Sequence, residues 1–188
     1  MELIRQNFQQ VVNLSENDWQ LFASKLERFE CPKRSILLKT GQTEKYLSFI
    51  EKGIVRFYLP RSDYELTFAF VFENAFVSAY DSFLTQTPST YNVETLADTQ
   101  LWRIHYNHLQ EIYNKSEAGN TIGRFAGEEL FLKKSKRELS LLTETAEQRY
   151  LKLLNEQPHL VQRIPLKYLS SYIGITPQAL SRIRKRIS

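Results

Sequence analysis

Residues 165–187 read PLKYLSSYIGITPQALSRIRKRI, and the rest of the chain is understood from this stretch outward. Leu166, Leu169 and Ile173 recur at helical spacing and stop at Gly174, the residue that most cheaply takes the left-handed conformation of a helix end. Thr176 offers a side-chain oxygen as N-cap, and Pro177 stands where a helix loses nothing by lacking an N–H. The spacing therefore predicts a second helix over 177–187. On it Leu180, Ile183 and Ile187 face the protein. Gln178, Ser181, Arg182 and Lys185 recur at the same steps on another face, and all can hydrogen-bond. Two short helices across a glycine turn, the second presenting an amide, a hydroxyl and bases, form the pattern of a DNA-binding helix-turn-helix. On spacing alone the alternative is an αα-hairpin that closes a core, its bases a solvated face.

Charge distribution favours the first reading. Residues 149–188 hold eight Lys or Arg against the single Glu156, a balance of +7, whereas residues 1–148 hold 17 against 20, or −3. The overall +4 is thus a basic C-terminal segment on a mildly acidic body, the asymmetry expected when one end meets phosphates. With 188 residues, 42% hydrophobic and 24% charged, the chain has the composition of an ordinary globular protein. It carries no repeat, no signal-like N-terminus and no membrane-length apolar run, so a cytoplasmic protein without a membrane partner is expected. Cys31 stands alone, which excludes an internal disulfide and a cysteine-held iron–sulfur cluster within one chain.

Residues 1–30 read as helices. Ser15 is an N-cap with Asp18 three residues on, and Trp19, Phe22, Leu26 and Phe29 follow at helical intervals. From Ile36 to Ile104 the period becomes that of strands: 36–38, 46–50, 54–59, 66–72, 91–96 and 101–104. The turn Glu51-Lys52-Gly53 is expected to join the second and third as a hairpin. Six short strands at this spacing indicate a β-sandwich or barrel, and the hydroxyl-rich segment from Glu73 to Thr90 suits a compact loop with a short helix. Beyond Ile104 the pattern is helical. Ile122, Phe125, Leu132, Leu139 and Leu142 trace an apolar stripe, which either pairs with a second copy or packs on the barrel. A turn at 143–145 leads into a further helix with Thr145 and Gln148 as capping box and Tyr150, Leu153 and Leu154 inward.

In this order the elements resemble the Crp-Fnr family of bacterial transcription regulators, to which the catabolite activator protein, one of the standard helix-turn-helix examples, belongs. The likeness is carried by GQTEKYLSFIEKGIVRFYL at Gly41–Leu59, by TAEQRYLKLL at Thr145–Leu154 and by IGITPQALSRIRKRI at Ile173–Ile187. It implies an α+β chain: an N-terminal double-stranded β-helix, or jelly-roll barrel, of cyclic-nucleotide-binding type, a long dimerisation helix and a small C-terminal helix-turn-helix domain. The expected boundaries are 1–111, 112–142 and 143–188. It further implies a homodimer on double-stranded DNA, with Gln178, Ser181 and Arg182 reading bases and Thr176, Arg184, Lys185 and Arg186 on phosphates. The chemistry agrees, since Arg suits guanine and Gln suits adenine.

The sensor departs from the family. Relatives that bind cyclic nucleotides carry Gly-Glu and, about ten residues on, Arg with Ser or Thr, because the phosphate needs a guanidinium partner. Here Ser78-Ala79 and Ser89-Thr90 stand there, and cyclic AMP is not expected to bind. Tyr80, Ser82, Ser89, Thr90 and Tyr91 either line the pocket of an unidentified small-molecule effector or belong to a filled barrel. His105, His108 and His159 are scattered without Cys, Asp or Glu at ligand spacing, and the chain has no glycine-rich phosphate loop. No metal, cofactor or enzymatic activity is therefore expected. The runner-up is a cyclic-nucleotide-type module that binds a ligand or a protein and does not touch DNA.

Overall fold

The computed structural model describes residues 1–187. The chain divides into two compact units, one comprising Met1–Phe57 with Phe70–Glu129 and the other Tyr58–Ala69 with the chain from Leu130 onward.

The first unit opens with helices α1 (Glu2–Gln9) and α2 (Glu16–Ala23). Ser15 caps α2 as expected, its hydroxyl accepting the Asp18 N–H at 3.1 Å. The helical reading of the first thirty residues fails beyond Ala23. Residues Glu27–Cys31 form strand β1, with Phe29 opposite Leu101 of a distant strand. Steps of three and four among Trp19, Phe22, Leu26 and Phe29 fit a helix, but a ladder partner some seventy residues away wins over the local period.

Seven further strands follow: β2 (Ile36–Leu38), β3 (Tyr46–Lys52), β4 (Val55–Pro60), β5 (Glu65–Val71), β6 (Ala75–Val77), β7 (Asn92–Thr95) and β8 (Thr99–His105), with helix α3 (Tyr80–Thr85) between β6 and β7. They form two four-stranded sheets, ordered β1-β8-β3-β6 and β2-β7-β4-β5. This is a jelly roll, as expected. The turn at Gly53 is therefore a corner and not a hairpin, since β3 and β4 lie in different sheets. Gly53 has φ +120°, and a Cβ there would stand 2.3 Å from Thr99 Oγ1. Only glycine allows the chain to change sheets so close to β8.

Alternation along β3 and β8 divides the apolar residues. Phe49 and Ile104 join Ile4, Phe8, Trp19 and Phe22 in the core under the helices, while Ile50 and Leu101 face each other across the ladder and are buried on the opposite side. After β8, helix α4 (Tyr106–Lys115) is capped by His105, whose Nδ1 accepts the Asn107 N–H at 3.2 Å. No proline interrupts the long helical pattern, yet it breaks at Ser116. This hydroxyl accepts the Gly119 N–H at 3.0 Å, opening α5 (Glu117–Thr143), and donates to Asp18 Oδ1 at 2.6 Å. That bond, ahead of the one from Ser15, holds the Asp18 carboxyl below the usual range. Ile122 leaves the apolar stripe and packs against the first unit's core.

In the second unit Thr145 and Gln148 form the expected capping box at the start of α6 (Ala146–Glu156). Helices α7 (Pro158–Arg163), α8 (Leu166–Ile173) and α9 (Pro177–Ile187) follow. Their core is Tyr150, Leu153, Leu160, Ile164, Leu169, Ile173 and Leu180, all buried; truncation of any of these leucines to Ala removes about 2–5 kcal/mol. Among the described residues no helix is long and apolar enough to cross a membrane.

Candidate functional site

The turn between α8 and α9 is built as its sequence dictates. Gly174 sits at φ +91°, ψ +30°, and its N–H and that of Ile175 both return to the Ser170 carbonyl at 3.0 Å. Thr176 then caps α9, accepting the Ala179 N–H on Oγ1 at 3.2 Å. Leu180 is wholly buried and Ile183 half-buried, but Ile187 is 37% exposed. The inward face of α9 thus ends one turn earlier than its spacing indicates.

On the other face Gln178, Ser181, Arg182 and Lys185 are all exposed. At steps of three and four they form one continuous polar strip. The bases Arg184, Lys185 and Arg186 occupy the last turn, where the helix dipole favours them. Arg186 is engaged within the protein: its guanidinium pairs with the Glu147 carboxylate of α6.

Of the five residues expected around an effector pocket, Ser82, Ser89 and Tyr91 are buried, Tyr80 is half-buried and Thr90 is exposed. Ser82 and Ser89 are buried and satisfied locally: Ser82 Oγ donates to the Thr87 carbonyl and accepts the Glu44 N–H at 3.0 Å, and Ser89 Oγ donates to the Tyr91 carbonyl at 2.9 Å. The buried Tyr91 hydroxyl donates to the Asp81 carboxylate; burial first, then Asp81, pushes its pKa up. Tyr80 is half-buried and stacked 6.2 Å from Phe83, and Thr90 is exposed. A hollow of about 320 Å³ lies elsewhere, between Glu30, Lys52 and Asp98, and none of the five lines it.

Two charged features of the barrel escaped the sequence reading. Glu44 is only 9% exposed, and its carboxylate accepts the N–H groups of Lys45 and Tyr46 at 3.0 Å and of Ala79 at 3.4 Å. Burial pushes its pKa above the usual carboxylate range. Its neighbours Gln42, Thr43 and Lys45 read as a plain polar turn, so nothing local marks it. Arg56 of β4 is buried and bonds Glu94 of β7 through Nε at 3.2 Å and through Nη2. A guanidinium amid the apolar run of Ile54–Leu59 is a signal, but one that points to no particular partner. Among the described residues no group of three or more His, Cys, Asp or Glu could hold a metal ion, and His105 Nδ1 is occupied as a cap.

Residues 28–116 match the sequence model of the cyclic nucleotide-binding domain. Solved structures extend the likeness over nearly the whole chain. CLP of Xanthomonas campestris, described as a c-di-GMP-responsive global regulator, has a TM-score of 0.66 at 19% identity, covering 92% of this chain and 91% of that one. The fold is that of the Crp/Fnr regulators. A transcriptional regulator of that family from Eubacterium rectale gives a TM-score of 0.71 at 15% identity, covering 93% of this chain and 84% of its own. FixK2 of Bradyrhizobium japonicum gives 0.71 at 18% identity, covering 86% and 84%. No curated protein sequence is a significant match. At these identities the likeness is one of Crp/Fnr fold.

Proposed function

We propose that the chain is a DNA-binding transcription regulator of Crp/Fnr type, acting as a homodimer that reads a two-fold operator through α9. The observation that carries this reading is the strip of Gln178, Ser181, Arg182 and Lys185, exposed on a helix whose opposite side is anchored by the buried Leu180. Gln178, Ser181 and Arg182 serve as the base readers, because an amide and a guanidinium match adenine and guanine edges in the major groove. Thr176, Arg184, Lys185 and Arg186 serve phosphates, Arg186 after exchanging Glu147 for DNA.

Dimerisation rests on α5, where Phe125, Phe131, Leu132, Leu139 and Leu142 are 42–76% exposed. Five large apolar side chains on one helix make a patch that favours a partner. A second copy would set two recognition helices about 34 Å apart, one turn of DNA. The division into a sensor at 1–111, a dimerisation segment at 112–142 and a DNA-binding part at 143–188 belongs to this reading.

The barrel of this regulator takes no cyclic nucleotide. Asp81 lies in the first turn of α3 and Glu44 bonds the Ala79 N–H at its start, in the segment that follows the missing Gly-Glu, and the buried Arg56 is bonded to Glu94. An entering phosphate would meet carboxylates without a guanidinium. The test is fluorescence anisotropy of the purified chain with random genomic fragments at two salt concentrations. Binding that weakens steeply with salt is expected. No binding at either concentration would leave the barrel as a module that works without DNA and sink the proposal.

A further inference from the structure

Two arginines in the second unit are spent on neutral backbone carbonyls at one place, the end of α8 just before the turn. Arg149 of α6 donates from Nε to the Ile173 carbonyl at 2.9 Å, and from Nη1 to the carbonyl of Glu144 and, at 3.5 Å, to that of Ser140. One guanidinium thus joins the last turn of α5, the α5–α6 connection and the helix-turn-helix turn. Arg137 of α5 lies with its guanidinium 4.0 Å over the Tyr172 ring and donates from Nη2 to the Tyr172 carbonyl.

The chemistry explains why two cations gather there. With the chain turning at Gly174, the backbone donors of Gly174 and Ile175 go to Ser170 and Ser171, and the carbonyls of Tyr172 and Ile173 need donors from elsewhere. A helix C-terminus carries partial negative charge, so guanidiniums bond it more strongly than neutral donors do. Arg137 is half-buried, with its Nε buried and without an acceptor among the described residues. A desolvated guanidinium held in this way is costly unless its geometry serves something. At 100° per residue Arg137 lies about 140° around α5 from Leu132 and Leu142. The helix therefore turns one side to α8 and a different side outward.

We propose that Arg137 and Arg149 are positioning residues for DNA binding, clamping the helix-turn-helix to α5 so that dimer geometry dictates one operator half-site spacing. The inference rests on the proposed function and deepens it. The side chains that touch DNA are on α9, and these two act on them only through the end of α8. Losing the clamp leaves each recognition helix able to read a half-site but frees the angle between α5 and α9.

Two measurements test it. In the first, nitroxide labels at Lys134→Cys and Ser181→Cys, in a Cys31→Ser background and diluted with unlabelled chain, report the α5–α9 distance by pulsed EPR without DNA. A narrow distribution is expected for the wild-type clamp, and a clearly broader one for Arg137→Gln with Arg149→Gln. Equal widths would overturn the clamp whether or not the protein binds DNA. In the second, duplexes selected by the wild type from a random-sequence library are remade with spacers lengthened or shortened by one and two base pairs, alongside a single half-site. The wild type should lose about tenfold or more on each altered spacer, the scale of one charge-assisted bond. The double variant should show a nearly flat spacing profile with half-site affinity kept, and Arg137→Lys an intermediate one. A spacing profile unchanged in shape, even if affinity drops throughout, refutes positioning. If the wild type selects no duplex, the DNA reading fails, and the distance measurement still decides the clamp.

Discussion

Replacing Phe125 and Leu132 together by Glu should convert the protein from dimer to monomer, and the size of the effect can be worked from exposure. The two side chains are 42% and 66% exposed in the single chain. Full burial of a large apolar side chain contributes about 1.5–3 kcal/mol, so covering the exposed parts contributes roughly 2–3 kcal/mol per chain for the pair. Two-fold symmetry doubles this to about 4–6 kcal/mol, or a dissociation constant raised by about three to four decades. Four new carboxylates facing one another add to the loss. Because both residues already meet water in the monomer, stability of the single chain should change by less than about 0.5 kcal/mol per site. Sedimentation velocity at micromolar concentration, paired with chemical denaturation, reads both quantities. A variant that remains dimeric refutes the assignment of the interface to α5, and a wild type that is monomeric yet binds DNA tightly refutes the dimer itself.

Cyclic AMP and cyclic GMP should give no measurable heat in titration calorimetry at tens of micromolar protein, because Glu44 and Asp81 oppose the phosphate; a micromolar dissociation constant for either would overturn that account. Arg182→Ala should weaken binding to a selected operator by about 1–3 kcal/mol and to random DNA far less, whereas Arg184→Ala should weaken both and lower the salt slope by about one per half-site. Equal losses on both DNAs for Arg182→Ala would remove it from the base readers. Glu44→Gln should remove one pH-dependent contribution to stability. The buried carboxyl has its folded pKa raised above the unfolded value, so the native state holds the extra proton and stability falls as pH rises from one value to the other. Urea midpoints of variant and wild type should therefore diverge as pH rises above the usual carboxylate range, and parallel midpoints would contradict this.

What the linear sequence determined is what depends on neighbours three or four residues away. The Thr145–Gln148 capping box, the Ser15 cap, the Gly174 turn and the Thr176-Pro177 start of α9 are closed by local hydrogen bonds, so residue type and spacing suffice to place them. The inward positions Leu169, Ile173 and Leu180 follow from the same period. A break at Ser116 was also written locally, as a hydroxyl followed by an acidic first turn, although the absence of proline concealed it.

Tertiary structure alone decided the rest. Phe29 became a strand residue because β8 offered a ladder, and the Gly53 turn became a corner because β3 and β4 found partners in different sheets. Glu44 acquired its burial from Ala79 and Ser82, and Arg56 its partner from a strand thirty-eight residues away. Arg137 and Arg149 look in sequence like two more solvated bases, and only the fold brings them to the carbonyls at the end of α8. The physical reason is the same in each case. Local spacing encodes backbone geometry and the direction of a face, whereas a buried charge or a sheet partner is chosen by whichever distant group can satisfy its hydrogen bonds once water is gone.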